Sequence, residues 1–596
     1  MRGSANQRLG LWACVLGWVA ACDGQVDVTE DEAAVNLAPA TYPVAWDTAF
    51  VDGKPVPEDY AFGRRTTILK ADSTYLEQEL PLPCDVSWER DVPIKLRDGV
   101  EIYADLLRPT GDAKDLPALV AWSPYGKAMP TDGPTSVPPD RYSGVAKFEG
   151  PDAAFWVCRG YAIVNVDVRG SFRSGGKVHS FGMVDAADGY DVIEWIARQS
   201  WSNGNVGMHG ASWLAIAEWF IASTNPPHLK AIAPWNGQSD LYRNGISLGG
   251  IPDTAFSNAV GSMLISPNGK ESTVEMLKRH PLINDYWKDK RANVEDIKVP
   301  AYVGADIATA LHTTGTLDGF RRLGSPEKWL RVNDTNEWYD QYAPDTLKDL
   351  ARFFDHYLKE EDNGWEDTPQ VTVSIMDPGP DGAPKSQVPY DAWPVPDTRF
   401  EKLYLDASDG SLSQAQPKSA ADVTYEAKSG KAEFTIRFEE DTQLVGHLVA
   451  QLYLEARDVD DMDVFVLVEK LDRDGNPLVP SELAAEYFPK PPPGAPGRLR
   501  VSRRALDADK SSEDFPVHAF TEEQKLSAGE IVPVEIAIMP TALRWHAGEQ
   551  LKLTVAGTYI GGSSLPIMGL HEGIHVVHTG PEHAAYLQIP VVPWTP

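Results

Sequence analysis

The sequence of 596 residues is poor in basic residues, poor in cysteine and free of any recognisable phosphate-binding loop. It has 54 Lys and Arg residues against 86 Asp and Glu residues, for a formal net charge of -32. Nucleic acids and anionic membranes are polyanions, so this charge argues against either as a partner. None of the glycine clusters follows a strand at the spacing of a dinucleotide or phosphate loop, so no cofactor of that kind is expected.

The sequence does contain the material for several packed cores. Hydrophobic residues make up 42% of the chain, which includes 18 Trp. A chain of this length exceeds what one core accommodates and suggests about two to four domains. No internal repeat is evident.

The N-terminal segment predicts an exported protein. Arg2 and Arg8 precede an apolar run from Leu9 to Ala21, which is too short to span a bilayer and therefore indicates a cleaved signal peptide over residues 1–22. The end of this run, Val19-Ala20-Ala21-Cys22, resembles the processing box of bacterial lipoproteins. This resemblance implies a lipid on Cys22 as the sole membrane contact, with an anchor at the cell envelope. Without it, the prediction is plain secretion.

Few thiols remain once the signal peptide is removed. Cys14 leaves with it, and Cys84 and Cys158 are the cysteines of the folded body. In an oxidising compartment they could pair, or both could stay as buried free thiols. Residues 23–85 are predicted to be an acidic tether and N-terminal extension, since the first part is rich in Asp, Glu, Ala and Pro.

From residue 86 the chain alternates strand and helix signals. Arg97-Asp98-Gly99 separates two strand-like runs and predicts a hairpin. Buried-type strands at 118–122 and 162–166 precede a helix at 186–199, which is typical of a parallel sheet covered by helices on both faces. We therefore predict an α/β core in two parts, residues 86–235 and 296–365. A helical lid insertion at 236–295, mostly helical from Glu271 to Lys290, would separate them.

The pattern changes at residue 371. Short alternating strands follow one another, with Gly, Pro and Asp between them and little helical period. This pattern predicts an all-β sandwich or jelly roll over residues 371–596.

A serine lies on a predicted strand-to-helix turn. The apolar strand 206–208 is followed by His209-Gly210-Ala211-Ser212, and a helical run begins at Trp213. Such a turn lifts the serine oxygen above the sheet and leaves the next backbone N–H free for an oxyanion. The alternative is a serine that only caps the helix. Ser247 lies in a literal Gly-x-Ser-x-Gly match, but the preceding segment is polar and not strand-like, so we do not expect it to be a nucleophile.

Several ordered motifs resemble the CocE/NonD family of serine hydrolases, the cocaine-esterase and X-Pro dipeptidyl-peptidase-like enzymes of S15 type. These motifs are Ser123-Pro124-Tyr125-Gly126-Lys127, Asp167-Val168-Arg169-Gly170 with Ser174-Gly175-Gly176, and Gly210-Ala211-Ser212-Trp213-Leu214. The resemblance covers residues 86 to 590. It implies an α/β-hydrolase domain followed by a jelly-roll, galactose-binding-like domain.

The resemblance also implies a reaction. Ser212 would attack a carboxylic ester or a peptide or amide bond, in a small-molecule ester or short peptide, and form an acyl-enzyme. The phenol of Tyr125 and the backbone N–H of Trp213 would bind the oxyanion. Asp167 and Arg169 are expected to form a structural ion pair or to cap loops near the site.

The acid and the base of the triad depart from the family pattern. Our alignment puts Thr309, and not Asp306, at the acid position, and residues 333–338 lack the family's histidine. In a first hypothesis the triad is rebuilt, with His312 as base and Asp306 or Glu337 as orienting acid. His209 is expected to point into the sheet and is a weaker candidate base.

Two further hypotheses do not require catalysis. In one, the scaffold has lost its hydrolytic activity and binds a ligand in the pocket of the former active site. In the other, the β-sandwich is a surface-binding or glycan-binding module and the α/β domain is its scaffold.

No metal is expected. The carboxylates from Asp458 to Asp463 lack the glycine and distal glutamate of a calcium loop. His571, His575 and His578 have a spacing that a metal could use, but His575 and His578 would face opposite sides of a predicted strand.

Overall fold

A computed structural model describes residues 37, 42–47, 61–74, 80–127, 137–380, 382–479, 492–560, 567 and 569–594. The predicted signal peptide, Cys22 and most of the predicted tether lie outside these residues. Within them, no helix has the length and apolar character needed to cross a bilayer.

Strands and helices alternate over the first two thirds of the described chain. The strands are β1 Trp46–Asp47, β2 Arg65–Leu69, β3 Val86–Lys95, β4 Glu101–Pro109, β5 Leu116–Ser123, β6 Ala162–Asp167, β7 Ser202–Ala211, β8 Leu229–Trp235, β9 Lys270–Glu271, β10 Ala301–Asp306, β11 Lys328–Asn333, β12 Val371–Ile375 and β13 Lys385–Tyr390. The helices are α1 Ala153–Val157, α2 Met183–Ala197, α3 Trp213–Ala222, α4 Thr254–Met263, α5 Thr273–Arg279, α6 Asp285–Asp289, α7 Thr313–Arg322, α8 Glu337–Gln341 and α9 Pro344–Lys359.

Eleven strands of the described chain form one sheet, in the order β13-β12-β11-β10-β8-β7-β5-β6-β4-β3-β2. The run from β12 to β6 is parallel throughout. Antiparallel strands extend both edges of the sheet. The predicted parallel α/β sheet is therefore confirmed, as is the hairpin at residues 97–99, which joins β3 and β4.

Helices cover both faces of this sheet. Gly207 of β7 lies against Phe354 and Leu358 of α9, where a Cβ atom would come within 2.9 Å of each side chain. Val206 and Met208 point to the opposite face and belong to the core that α2 and α3 share. The strands are thus buried on both sides, which explains their continuous apolar character.

The segment 236–295 differs in detail from the expectation. The stretch predicted to be mostly helical, Glu271 to Lys290, contains the end of β9 and two short helices, α5 and α6. Pro281 lies between α5 and α6, and a residue before proline is disfavoured in helical conformation. The exact limits of the predicted domains stay predictions.

The C-terminal part is all-β, as predicted. Its strands are β14 Arg399–Asp406, β15 Ser411–Ser413, β16 Ala421–Glu426, β17 Lys431–Arg437, β18 Thr442–Arg457, β19 Asp463–Leu471, β20 Ala495–Arg500, β21 Val532–Trp545, β22 Gln550–Ala556, β23 Ile574–Thr579 and β24 Tyr586–Val592. They form one sheet in the order β16-β23-β18-β21-β20-β19-β22-β17-β15-β14-β24. Because β24 also pairs with β18, most of the sheet closes on itself and resembles a barrel.

Cys84 and Cys158 form a disulfide, which decides between the two alternatives left open above. The bond joins the segment before β3 to the end of α1 and closes a loop of 74 residues, with a Cα–Cα distance of 5.8 Å. A covalent link across a loop of this length restricts the unfolded chain and so stabilises the fold.

We expect the double variant Cys84→Ser, Cys158→Ser to lose about 4 kcal/mol of unfolding free energy, the value that chain entropy gives for a loop of this size. Denaturant unfolding of both proteins, with and without reductant, measures the loss. Reductant should destabilise the wild-type protein and leave the variant unchanged. Equal stability of the two oxidised proteins would contradict the prediction.

Candidate active site

The turn between β7 and α3 presents Ser212. Its backbone has φ 52° and ψ -117°, a strained conformation for a residue with a side chain. The Ser212 N–H donates to the Trp235 carbonyl at 3.0 Å, and the Ser212 carbonyl accepts from the Ile216 N–H at 2.9 Å. Its side chain makes no capping hydrogen bond to α3, so the N-cap alternative is wrong. The Ser212 hydroxyl is therefore not engaged in capping the helix.

Glycine is required just before the serine. A Cβ atom at Gly210 would lie 2.4 Å from the Cβ of Leu214 and 2.9 Å from the Glu149 carbonyl oxygen. The chain therefore turns from strand to helix with no space for a side chain at this position.

His312 lies next to the serine hydroxyl. Its Nε2 atom is 3.3 Å from Ser212 Oγ. The residue immediately precedes α7, and its side chain is buried. Burial lowers the pKa of the imidazole to about 4, so the ring is neutral at pH 7 and one of its nitrogens is able to accept a proton.

Tyr125 and Trp213 share a cavity with these two residues. The cavity has a volume of about 200 Å³ and is lined by Tyr125, Ser212, Trp213 and His312 among others. The Tyr125 ring packs edge-on against Phe148, with ring centroids 5.3 Å apart. Apolar side chains complete the wall, namely Phe181, Ile216, Leu248, Phe256, Val260 and Leu264.

A buried lysine anchors the loop that carries Tyr125. The Lys127 ammonium lies 2.8 Å from Asp91, 3.3 Å from Asp167 and 3.8 Å from Asp105. The backbone N–H of Lys127 also donates to Asp167. Of the two roles expected for Asp167 and Arg169, the ion pair between them does not form, because Asp167 binds Lys127 and Arg169 binds Asp188 and Asp98. The capping of a loop near the site is confirmed for Asp167, which accepts from the Lys127 N–H.

Asp306 ends strand β10, and its carboxylate is directed to Thr309. It accepts from the Thr309 N–H at 2.9 Å and from the Thr309 hydroxyl at 2.7 Å. Burial raises the pKa of Asp306 to about 6. Within the described residues, Asp306 Oδ2 and His312 Nδ1 are both buried atoms that make no hydrogen bond. Glu337, the other acid considered, is the first residue of α8, and its side chain lies outside the described residues.

His209 and Ser247 lie away from this cavity, as expected. His209 Nδ1 is 3.0 Å from the Ala233 carbonyl, and its ring packs between Trp235 and Phe354. Ser247 is fully buried after the helical turn Tyr242–Ile246, where no strand precedes it.

Glu149 is a residue of the site that sequence reasoning missed. It lies in the segment before α1, is 3% exposed, and has φ 60°. Its carboxyl faces the Ser212 hydroxyl, the Trp338 indole N–H and the Trp213 backbone N–H. The segment Lys147-Phe148-Glu149-Gly150 has no period or motif that would have revealed it.

The histidines near the C-terminus each have a different partner. His571 contacts Asp463, His575 contacts the Tyr425 hydroxyl, and His578 contacts Glu455. In the described part of the chain, no group of three or more potential ligands is arranged to hold a metal ion.

A parallel sheet that raises a strained serine at the end of a strand, beside an imidazole, defines an α/β-hydrolase-like fold with a serine hydrolase site. Comparisons with known proteins agree. The family "X-Pro dipeptidyl-peptidase (S15 family)" matches residues 98–266, and "X-Pro dipeptidyl-peptidase C-terminal non-catalytic domain" matches residues 363–588. The chain belongs to the CocE/NonD hydrolase family of S15 type.

Two relatives span most of the chain, and a third matches about a third of it. A CocE/NonD family hydrolase from Staphylococcus aureus has 35% sequence identity and a TM-score of 0.81, covering 89% of this chain and 97% of that one. Cocaine esterase from Rhodococcus sp. (strain MB1 Bresler) is 24% identical over 595 residues, 84% of this chain and 98% of the esterase. A putative Xaa-Pro dipeptidyl-peptidase from Streptomyces avermitilis is 25% identical over 248 residues, 37% of each protein.

Proposed function

We propose that the protein hydrolyses carboxylic esters or peptide and amide bonds through an acyl-enzyme on Ser212, with His312 as the base. The contact of 3.3 Å between His312 Nε2 and Ser212 Oγ carries this proposal. This contact supports the hypothesis of a rebuilt triad, in which the base is the histidine immediately before α7. The relatives, named as esterases and peptidases, favour hydrolysis over a scaffold that only binds a ligand.

The geometry supports the following course. Ser212 Oγ attacks the substrate carbonyl carbon while its proton passes to His312 Nε2, and the carbonyl oxygen becomes an oxyanion. The Trp213 N–H and the Tyr125 phenol stabilise that charge. His312 then protonates the leaving group, and water enters to release the acid by the same steps in reverse. The acid that orients the imidazole stays a prediction, Asp306 or Glu337; of the two, Asp306 has a buried oxygen, Oδ2, without a hydrogen-bond partner in the described residues.

Esters are the substrates that we favour. An imidazole whose pKa is lowered to about 4 is a weak base, so the site removes the serine proton less readily than a site with an ordinary histidine. An alcohol leaves a tetrahedral intermediate with less help from a proton than an amine does. Such a site therefore suits esters better than peptides.

We assign the segment 236–295 as the lid of this cavity and the C-terminal domain as a jelly roll. Phe256 and Val260 of α4 line the cavity that holds Ser212. Arg498 and Tyr559 of the C-terminal domain line it too, and Arg498 binds Asp253 at 2.9 Å. The β domain thus contributes to the cavity of the serine, which argues against a separate surface-binding role for it.

We also propose that the protein is exported and carries a lipid on Cys22. The N-terminal sequence supports this, with Arg2 and Arg8 before a short apolar run that ends at Ala20-Ala21-Cys22. The disulfide between Cys84 and Cys158 fits an oxidising compartment.

Changing His312→Gln should lower kcat on an activated ester by about 10²- to 10⁴-fold, since a positioned acid–base group contributes that much. Steady-state kinetics on purified protein measures the effect. His209→Gln is the matched control, another buried histidine of the same region whose ring faces Ala233, and its activity should stay near wild type. Equal losses in the two variants would show that His312 has only a structural role.

Turnover of a p-nitrophenyl acyl ester should exceed that of an X-Pro p-nitroanilide, because the amide needs a protonated leaving group. The comparison of kcat/KM for the two substrates on one preparation tests the preference. Faster cleavage of the anilide would overturn it.

Changing Cys22→Ser should abolish incorporation of labelled fatty acid when the full chain is expressed in a bacterium, because the thiol is the proposed attachment point. Cys14→Ser, within the predicted signal peptide, should keep the label. Absence of label from the wild-type protein would contradict the lipoprotein assignment.

A further inference from the structure

We propose that Glu149 is a third donor to the oxyanion, a carboxylic acid held in its neutral form beside Ser212. The inference rests on the proposed role of Ser212 as nucleophile and adds a residue to that site. The motifs of the sequence do not include it.

The backbone of Glu149 is hydrogen-bonded to the turn that carries Ser212. Its carbonyl accepts a hydrogen bond of 2.7 Å from the N–H of Ala211, the residue before Ser212. From the other side, the Tyr342 hydroxyl donates to the carbonyls of Lys147 at 3.0 Å and Gly150 at 2.8 Å. These bonds hold Glu149 at a positive φ, which is unfavourable for a residue with a side chain.

The carboxyl lies beside two groups that line the cavity, Ser212 and Trp213. It faces both the Ser212 hydroxyl and the Trp213 N–H, the nucleophile and the proposed oxyanion donor. One of its oxygens, Oε2, is buried and makes no hydrogen bond within the described residues. A buried polar atom normally has a partner, so an oxygen left without one beside the nucleophile calls for a functional explanation.

Only the neutral acid is compatible with catalysis at this position. An ionised carboxylate would repel an oxyanion a few ångströms away, and burial strengthens that repulsion. A neutral carboxylic acid would instead donate its O–H to that oxygen.

The surroundings favour the neutral form at pH 7. Burial raises the pKa of Glu149 to about 8, although the charge of Lys147 and the donor groups of Ser212, Trp338 and Trp213 oppose the rise. Burial also lowers the pKa of Lys147 to about 8.

The other titratable groups around this carboxyl come from three directions. Tyr342 lies just after α8, Asp167 acts on Lys147 from the end of β6, and His312 lies across Ser212. Lys147 is the cation among them, and its charge opposes the rise in the Glu149 pKa that burial causes.

In the acylation step, the Ser212 oxygen forms a bond to the substrate carbon, and the carbonyl π electrons move to the substrate oxygen. The serine proton goes to His312. Glu149 keeps its proton and shares it with the new oxyanion as a hydrogen bond. When the carbonyl re-forms, the leaving group takes the proton from His312, and Glu149 is unchanged.

The test compares Glu149→Gln with Glu149→Ala in the full chain. Glutamine has the shape of the neutral acid and a donor N–H, so it should keep most of the activity, whereas alanine should lose about 10²- to 10³-fold in kcat, as for a lost oxyanion donor. The pH dependence of kcat/KM gives a second readout. Wild-type kcat/KM should fall as the pH rises through the Glu149 pKa, because the acid form is the active one, and this fall should be absent in Glu149→Gln.

Glu218→Gln is the matched control. Glu218 is another buried glutamate beneath the same turn, where it accepts from the Ala233 N–H at 3.1 Å and faces the Gly210 N–H. Its variant should keep the alkaline fall of the wild-type protein.

A second variant tests the charge relation without altering Glu149. Lys147→Met keeps the length of the side chain and removes the cation, so the alkaline fall should move up by about one pH unit. If Glu149→Ala does not fold, the pH dependence of kcat/KM in Glu149→Gln and Lys147→Met tests the proposal in its place.

Three results would overturn the proposal. Loss of activity in Glu149→Gln as large as in Glu149→Ala would show that the carboxylate itself is needed, as for a general base. Activity near wild type in both variants would show a structural role. An alkaline fall that persists in Glu149→Gln would assign it to another group. Labelling of Ser212 by a fluorophosphonate is followed in every variant, so failure of the nucleophile assignment is recognised separately.

Discussion

The backbone bend at Ser212 is the constraint on which the rest of the site depends. A strained φ of 52° persists because its surroundings hold it from three sides. The Ser212 N–H binds the Trp235 carbonyl of β8, the Ala211 N–H binds the Glu149 carbonyl, and Gly210 leaves no side chain between the turn and α3. The buried parallel sheet and the helices on its two faces supply the rigidity that this arrangement needs.

Buried lysines support the two loops that flank the serine. Lys127 lies among Asp91, Asp105 and Asp167 and anchors the loop of Tyr125, while Lys147 lies near Glu149 and Asp167. Burying such charges contributes little net stability, but removal of one partner is costly, which fixes the positions of both loops. Asp167 interacts with both lysines and so couples the loop of Tyr125 to the loop of Glu149.

Features that depend on residues adjacent along the chain could be predicted from the sequence. Ser212 could be recognised because a strand and a helix adjoin it, and His312 because it follows a strand of the same sheet. Glu149 could not, since a hydrogen bond from Ala211, far along the chain, brings it to the site. The pairing of Asp167 was mistaken for the same reason, because Lys127 reaches it through tertiary structure. The break between α5 and α6 is a local feature as well, since Pro281 lies between these helices.

The most direct measurement is the site of covalent labelling by a fluorophosphonate probe, determined by mass spectrometry of peptides from the treated full-length protein. The account predicts a single adduct on Ser212 and none on Ser247, and no adduct at all in Ser212→Ala. An unlabelled wild-type protein that nevertheless hydrolyses an ester, or an adduct on another serine, would contradict it.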